Sequence, residues 1–416
     1  MSEVAAARTS AARNLHSPAE VRAATRATYA AFLGSGFAFA SWASRIPQVR
    51  DGLRLSSSEL GLVLLAIAAG SLVALPLAGM IVHRFGSRRT VLAMAVLLAV
   101  GLAVAATGYL VGVLPLLVGL FLLGFANGAW DVAMNVQGAV VERHLGRSIM
   151  PRFHAGFSAG TVAGALTGAV MVALGVPVTA HLIAVAGVVG VGVPLAVRAF
   201  VADTDGADVP AAATSAPSGS RRAALARWRE PRTRLVGVIV LAFAFSEGSG
   251  NDWISVALID DYHSPAVVGT LGFATFLTAM TALRWFGTGL LDRFGRVLVL
   301  RGLAAVAITG LVLFVFSPFT PLAFVGAFLW GSGASLGFPV GMSAAADDPA
   351  AAPARVSVVA SVGYCAFLGG PPVIGFLGDH ITVLRALLTV AVLLALATVV
   401  ASAVRPLPAS AAPSSR

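Results

Sequence analysis

Apolar runs of about 20 residues recur from one end of the chain to the other, separated by short segments that collect arginine, glycine and proline. Each run is long enough to cross a hydrocarbon layer of about 30 Å as a helix. A helix also satisfies its own backbone hydrogen bonds, as lipid demands. The pattern predicts twelve spans, at 28–46, 59–82, 90–110, 114–140, 153–175, 178–200, 235–259, 266–290, 297–317, 320–343, 355–378 and 382–404. The expected fold class is an all-α membrane protein with twelve transmembrane helices. Residues 1–27 read as a polar tail without the short apolar core and cleavage site of a removable signal.

Charge in the loops sets an expected orientation. The loops after spans 2 and 4, His83 to Arg89 and Glu142 to Arg152, are net positive, whereas those after spans 3, 5 and 9 carry no charge. Asp260 and Asp261 follow span 7. Positively charged loops stay inside, so the even-numbered loops and both termini are expected in the cytoplasm, with the protein in a bacterial plasma (inner) membrane. Two connections run against the trend: Arg50 and Arg54 lie in the first outer loop, and Asp347 and Asp348 follow span 10. The long connection, about 201–234, opens with TDGADVPAAATSAPSGS, too poor in large apolar residues to fold, and closes on an arginine-rich run from Arg221 to Arg234. That run is expected as a cytoplasmic linker, the alternative being an amphipathic helix on anionic lipid. The expected organisation is a tail (1–27), a six-helix bundle (28–200), the linker (201–234), a second six-helix bundle (235–404) and a tail (405–416).

The halves echo each other. GMIVHRFGSRR (79–89) follows span 2 and GLLDRFGR (289–296) follows span 8, with Gly86 and Gly295 at matching places. A tight Arg-Phe-Gly turn repeated in two six-span halves indicates internal duplication. On these features the sequence resembles the major facilitator superfamily, whose signature G-x-x-x-D-R-x-G-R follows spans 2 and 8. WASRIPQVRDGL, DVAMNVQGAVVE and FHAGFSAGTVAGALTG further resemble the branch related to fucose permeases. The first signature departs from the pattern, with His83 where the acid is usual; Asp292 keeps it in the second half. The resemblance implies two pseudo-symmetric bundles around a central cavity lined by spans 1, 4, 7 and 10. It also implies gating roles for Arg84, Asp292, Arg293 and Arg296, the acid bracing the cytoplasmic closure against basic groups and a facing helix N-terminus.

Composition narrows the function. Of 416 residues 58% are hydrophobic and 11% charged, about half the charge of a soluble domain. The net charge of +10 resides in short loops between spans, which argues against nucleic acid as a partner. All basic residues are arginine, so lysine chemistry is absent, and Cys365 alone makes neither an intrachain disulfide nor a cysteine metal site. No H-E-x-x-H, G-x-S-x-G or lysine-bearing phosphate loop occurs, leaving neither a hydrolase nor an ATP-driven pump a footing; no cofactor or metal is expected, and the chain reads as a non-enzyme.

The candidate chemistry lies on the spans. Asn127, Asp131 and Asn135 fall one turn apart on span 4 and share a face. Glu247 and Asn251 do the same on span 7, and Asp252 lies nearer its outer end. Acids at membrane depth are costly unless they face protein or water, and burial favours the protonated form of a carboxyl, as a proton carrier requires. Asp131 and Glu247 are therefore the expected proton-coupling residues. The alternative is a structural acid paired with Arg45, Arg284 or Arg301. Asn127, Asn135, Asn251, Trp42 and Trp330 are expected to bind substrate, with interfacial anchoring the alternative for Trp42. His154 opens span 5 as a candidate relay or a capping residue. Arg45, in the outer part of span 1, binds an anion, holds an acid in place or anchors at the interface. Gly156, Gly160, Gly164 and Gly168 make a helix-packing face on span 5, and Pro371 and Pro372 are expected to bend span 11.

The favoured expectation is a proton-coupled symporter, monomeric, moving a small polar solute such as a sugar by alternating access. A proton-driven efflux antiporter is the runner-up, against which the absence of proline from span 5 before Pro177 counts modestly. A membrane receptor or scaffold would have little reason to keep polar residues on the spans.

Overall fold

The computed structural model describes residues 17–147, 149–203, 227–348 and 351–407. The tail before Ser17, most of the central linker and the last nine residues lie outside that set. All regular structure among the described residues is helical. Ten helices are long and apolar enough to cross a membrane. One of them, Ser57–Gly108, turns at Gly86 (φ 78°, ψ 160°) and supplies spans 2 and 3, and Pro18–Ala43 supplies span 1. Together they make the twelve spans of two six-helix bundles.

Boundaries differ from expectation where capping chemistry outweighs hydropathy. Span 1 starts at Pro18 because Ser17 and Glu20 form a capping box and Val21, Ala24 and Ala27 already face inward. Ser56 and Glu59 form a second box at the start of span 2. Span 10 is not one helix but two, Thr320–Ala334 and Gly337–Ala345, broken at Ser335 and Leu336. The helix Ala352–Ile381 runs through Pro371 and Pro372.

Helices in lipid gain little from hydrophobic burial against each other, so close backbone approach must hold them, and small residues permit it. The span 5 glycines behave this way against span 1: a Cβ on Gly160 would lie 2.2 Å from the Leu33 carbonyl oxygen, and one on Gly164 2.5 Å from that of Phe37. Between spans 3 and 4 a Cβ on Gly101 would lie 2.9 Å from Gly119 O. Between spans 9 and 10, one on Gly310 would lie 2.7 Å from Gly326 O. Gly124 meets Ile67 O (2.0 Å) as Gly331 meets Phe276 O (2.3 Å), a span 4–2 contact repeated as span 10–8. The signature turns repeat too: Gly295 has φ 74°, ψ 161°, a left-handed conformation that glycine adopts without strain. Arg84 covers the Phe85 ring at 5.5 Å and Arg293 the Phe294 ring at 5.1 Å. Duplication thus extends from the motif to the contacts.

Across the boundary between bundles, span 2 packs on span 11 and span 5 on span 8. In the two connections that ran against the charge trend, all the charges but Arg54 are paired among the described residues. Asp347 binds Arg232 (2.7 Å) and Arg296 (2.6 Å), and Asp348 binds Arg355 (3.1 Å). Arg50 binds Asp51 (2.8 Å) and Asp260. Beside span 7, Glu230 accepts from Arg355 (2.8 Å), Thr233 (2.7 Å) and Arg227. The Arg355 guanidinium, helped by Thr233 and Arg227, holds this carboxyl down at about 2.

Gly160→Ala is expected to cost about 1–3 kcal/mol by forcing spans 1 and 5 apart, read as a lowered Tm in detergent. Gly187→Ala, at a position open for 4 Å, should leave Tm within the scatter of wild type. Glu230 has a folded pKa below its unfolded value, so its contribution is complete above about 4.5 and fades as pH falls toward 2. Glu230→Gln should therefore lower Tm at neutral pH, with the gap to wild type closing below about 4.5.

Candidate functional site

Span 4 carries the polar stripe into the interior of the protein. Asn127, Asp131 and Asn135 are each only partly covered, although their neighbours Trp130, Ala133 and Met134 are buried. Asn135 Nδ2 donates to the Asp131 carbonyl oxygen (2.8 Å) and to its carboxyl Oδ1 (3.3 Å). Asn127 Oδ1 accepts from the Ser35 hydroxyl of span 1 at 2.8 Å, which leaves the Asn127 NH2 group to donate elsewhere. Among the described residues no arginine or histidine pairs with Asp131. Tyr364 of span 11 lies within electrostatic reach of the carboxyl, so the other bundle contributes to its surroundings.

Glu247 on span 7 is in a different position. Its Oε2 accepts from Arg284 Nη2 at 2.6 Å, one of the pairings the sequence left open. The same guanidinium donates through Nε to the Ser335 carbonyl (2.9 Å), a group released by the break in span 10. A broken span frees backbone groups that something must satisfy; here one arginine does so while holding an acid. His154, exposed at the start of span 5 and edge-on to Phe32 at 5.1 Å, lies within electrostatic reach of Arg284. Asn251 and Asp252 are partly covered. Asn251 Oδ1 is buried without a donor, and Asp252 has no hydrogen-bond or ion-pair partner among the described residues.

Both tryptophans are buried. Trp330 is fully buried between Phe276 (5.2 Å) and Phe314 (6.1 Å), and its Nε1 donates to Ser246 Oγ at 2.9 Å. With its rings covered and its N–H engaged, it packs the second bundle and presents nothing to a solute. Trp42 is 1% exposed, its Nε1 unpartnered. Arg45 binds no acid among the described residues: it donates to His181 Nδ1 (3.0 Å) and the Val176 carbonyl (3.1 Å), tying span 1 to span 6. Arg301 donates to the Thr398 carbonyl at 3.3 Å.

Polar contacts between the bundles gather at the end away from the arginine-rich loops. Arg50 reaches Asp260 of span 7, and the Asp379 carboxylate of span 11 accepts from the backbone N–H groups of Ser57 (2.8 Å) and Ser58 (3.0 Å), the first turn of span 2. A carboxylate on a helix N-terminus is favourable through both hydrogen bonds and dipole. The resemblance implied this device for Asp292 at the arginine-rich end. There Arg84, Asp292 and Arg293 are exposed, Asp292 has no partner among the described residues, and Arg296 is held by Asp347 within its own bundle. The protein is therefore fastened at one end. Ser35, Tyr364 and Asp379 joined the site only through the fold, since nothing in their local sequence distinguishes them.

Comparison with known proteins follows the same lines. The family model described as Major Facilitator Superfamily matches residues 27–251 and 249–416. The chain is 31% identical over 380 residues to a protein of Sinorhizobium fredii named "Uncharacterized transporter y4wD", covering 90% of this chain and 97% of that one. It is 29% identical over 360 residues to "Membrane protein MosC" of Rhizobium meliloti, covering 86% and 84%. Among solved structures, a point mutant of the nucleoside transporter NupG superposes with a TM-score of 0.73 at 14% identity, over 91% of this chain and 99% of that one. FucP in its outward conformation does so with 0.57 at 16% identity, over 90% and 98%.

The Glu247–Arg284 pair is measurable without knowing a substrate. Arg284→Gln strands a carboxylate inside span 7 and should destabilise more than Glu247→Gln. A double-mutant cycle on thermal unfolding should return a coupling of about 2 kcal/mol between the two positions.

Proposed function

The chain belongs to the Major Facilitator Superfamily, and from that premise we propose that it is a proton-coupled symporter of a small polar solute. The observation that carries the reading is Asp131: a carboxyl within span 4, partly covered, with no cation paired to it among the described residues and with asparagines one turn away on either side. An acid held by arginine takes a proton only as that pair opens, whereas one flanked by neutral donors can take up and release a proton as its access to water changes. The positive-inside rule puts the arginine-rich end in the cytoplasm. Fastening at the other end then corresponds to a state closed to the outside, in which Asp131 exchanges its proton with the cytoplasm.

Glu247 is the second switching group in this scheme. A proton on Glu247 would release Arg284, and with it the hold on Ser335 at the span 10 break. Transport couples to the proton by that exchange of partners, two rigid bundles rocking about a midplane site. Asn127, Asn135 and Asn251 hydrogen-bond the solute: the first has a free NH2 group, the third an unsatisfied carbonyl oxygen. Hydrogen-bonding amides suit sugars and nucleosides alike. NupG is described as a nucleoside transporter and FucP as a fucose:proton symporter, which makes these two classes the first panel to try. The localisation that goes with this reading is a bacterial inner membrane, with both termini inside and a monomer as the working unit.

Proteoliposomes with an imposed pH gradient test it. Accumulation of a panel solute driven by inward proton flow is expected for wild type and abolished by Asp131→Asn, while exchange of labelled for unlabelled solute at equal pH persists. Full concentrative uptake by the Asn variant would remove the assignment. Movement driven only by the reverse gradient would make the protein an antiporter.

A further inference from the structure

The two signature turns share a backbone and differ in what they face. After Gly86, the Ser87 N–H donates to Asp203 Oδ2 at 2.5 Å and the Ser87 hydroxyl donates to Oδ1 at 2.6 Å. A carboxylate from the chain leaving span 6 thus sits on the first turn of span 3. It lies 3.2 Å from where a Cβ on Gly86 would be, whereas nothing is within 4 Å of the same position on Gly295. In place of that carboxylate the second half has a cavity of about 300 Å³, lined among others by Gly295, Arg296, Leu298, Arg301, Arg405 and Pro406.

The charge around this cavity is unbalanced. Arg296 is held by Asp347 (2.6 Å) and Ser343 (2.9 Å). Arg301 bonds only the Thr398 carbonyl, and the Arg405 guanidinium has no hydrogen bond or ion pair among the described residues. The chain leaving span 12 therefore brings an arginine to the flank where the chain leaving span 6 brings an acid. Guanidinium forks match phosphate oxygens geometrically, and the first turn of a helix adds N–H donors aimed the same way. Phe294 and Leu298, 47% and 61% exposed, flank the opening at the membrane face and give apolar cover to a glycerol or acyl stem.

We propose that this cavity binds a phosphate oxyanion, which does for span 9 what Asp203 does for span 3. The occupied turn in the first half supplies the precedent within the same chain: the same backbone conformation, with an anion on the first N–H after the glycine. A phospholipid headgroup and a free phosphate both present that chemistry, and position at the membrane face favours the lipid.

The test uses the full-length protein, purified in mild detergent, with native mass spectrometry for retained lipid and thermal shift for binding. Phosphatidylglycerol should be retained by wild type in preference to phosphatidylcholine, and its apparent affinity should fall about 30-fold in Arg301→Gln/Arg405→Gln, at about fivefold per arginine. Inorganic phosphate raising Tm in wild type but not in the double variant, with no lipid preference, would support the site and identify the free anion as its ligand. Pro406→Asp keeps both arginines and places a carboxylate on the cavity wall, so it should lose the ligand while folding as well as wild type. Equal retention of phosphatidylglycerol by all three proteins, together with an equal response to phosphate, would overturn the proposal.

Discussion

A charge inside a membrane protein must be paired, wetted or neutralised, and the interior is arranged around that constraint. Of the three acids the sequence places within spans, Glu247 is held by Arg284, while Asp131 and Asp252 have no cation among the described residues. Outside the spans nearly every described acid has a donor. Glu142 caps the start of span 5 at Ile149 and Met150, Asp261 accepts from the Leu384 N–H, and Glu230 collects Arg355, Thr233 and Arg227. Against that background the isolation of Asp131 is a property of its site, not of a chain short of arginine.

The second constraint is steric, and it places the first. Spans can bring a polar face to the centre only if their other faces allow the backbones to touch, which is the work of the glycines at 101, 119, 124 and 160 and of their second-half counterparts. Span 4 illustrates the coupling. Gly124 lies on span 2 and Gly119 on span 3, and the next turns carry Asn127 and Asp131 on the surface those contacts leave uncovered. Packing and site are consecutive stretches of one helix.

Much of this was legible in the sequence. Hydropathy gave the spans, the repeated Arg-Phe-Gly turn gave the duplication, and the four-residue glycine period gave a packing face on span 5, because each is a local pattern with one dominant physical cause. The early start of span 1 was also legible, in Ser17 and Glu20, but hydropathy spoke louder than the capping box. Trp330 was misplaced for another reason. A tryptophan in span 10 can face either way, and only the positions of Phe276, Phe314 and Ser246 decide between cavity and core. The sequence offered Arg284 as one of three possible partners without choosing among them, and Tyr364 and Asp379 were beyond reach of sequence reasoning because they meet an acid or a helix end across the bundle boundary. Proximity of that kind belongs to tertiary structure.

Duplication copied geometry more faithfully than chemistry. Span 4 is continuous and carries the unpaired acid; its counterpart, span 10, is broken, and its freed carbonyl at Ser335 is held by the arginine that also holds Glu247. The turn before span 3 is closed by Asp203, while the turn before span 9 faces arginine. A symmetric pair of bundles would place equivalent charges on both sides of the central space and set them in opposition. Here one half presents a carboxyl with no cation among the described residues and the other a carboxyl paired with an arginine. In the proposed mechanism, opposite roles on matching scaffolds let a single proton alter the balance between the halves, which two copies of either half could not do.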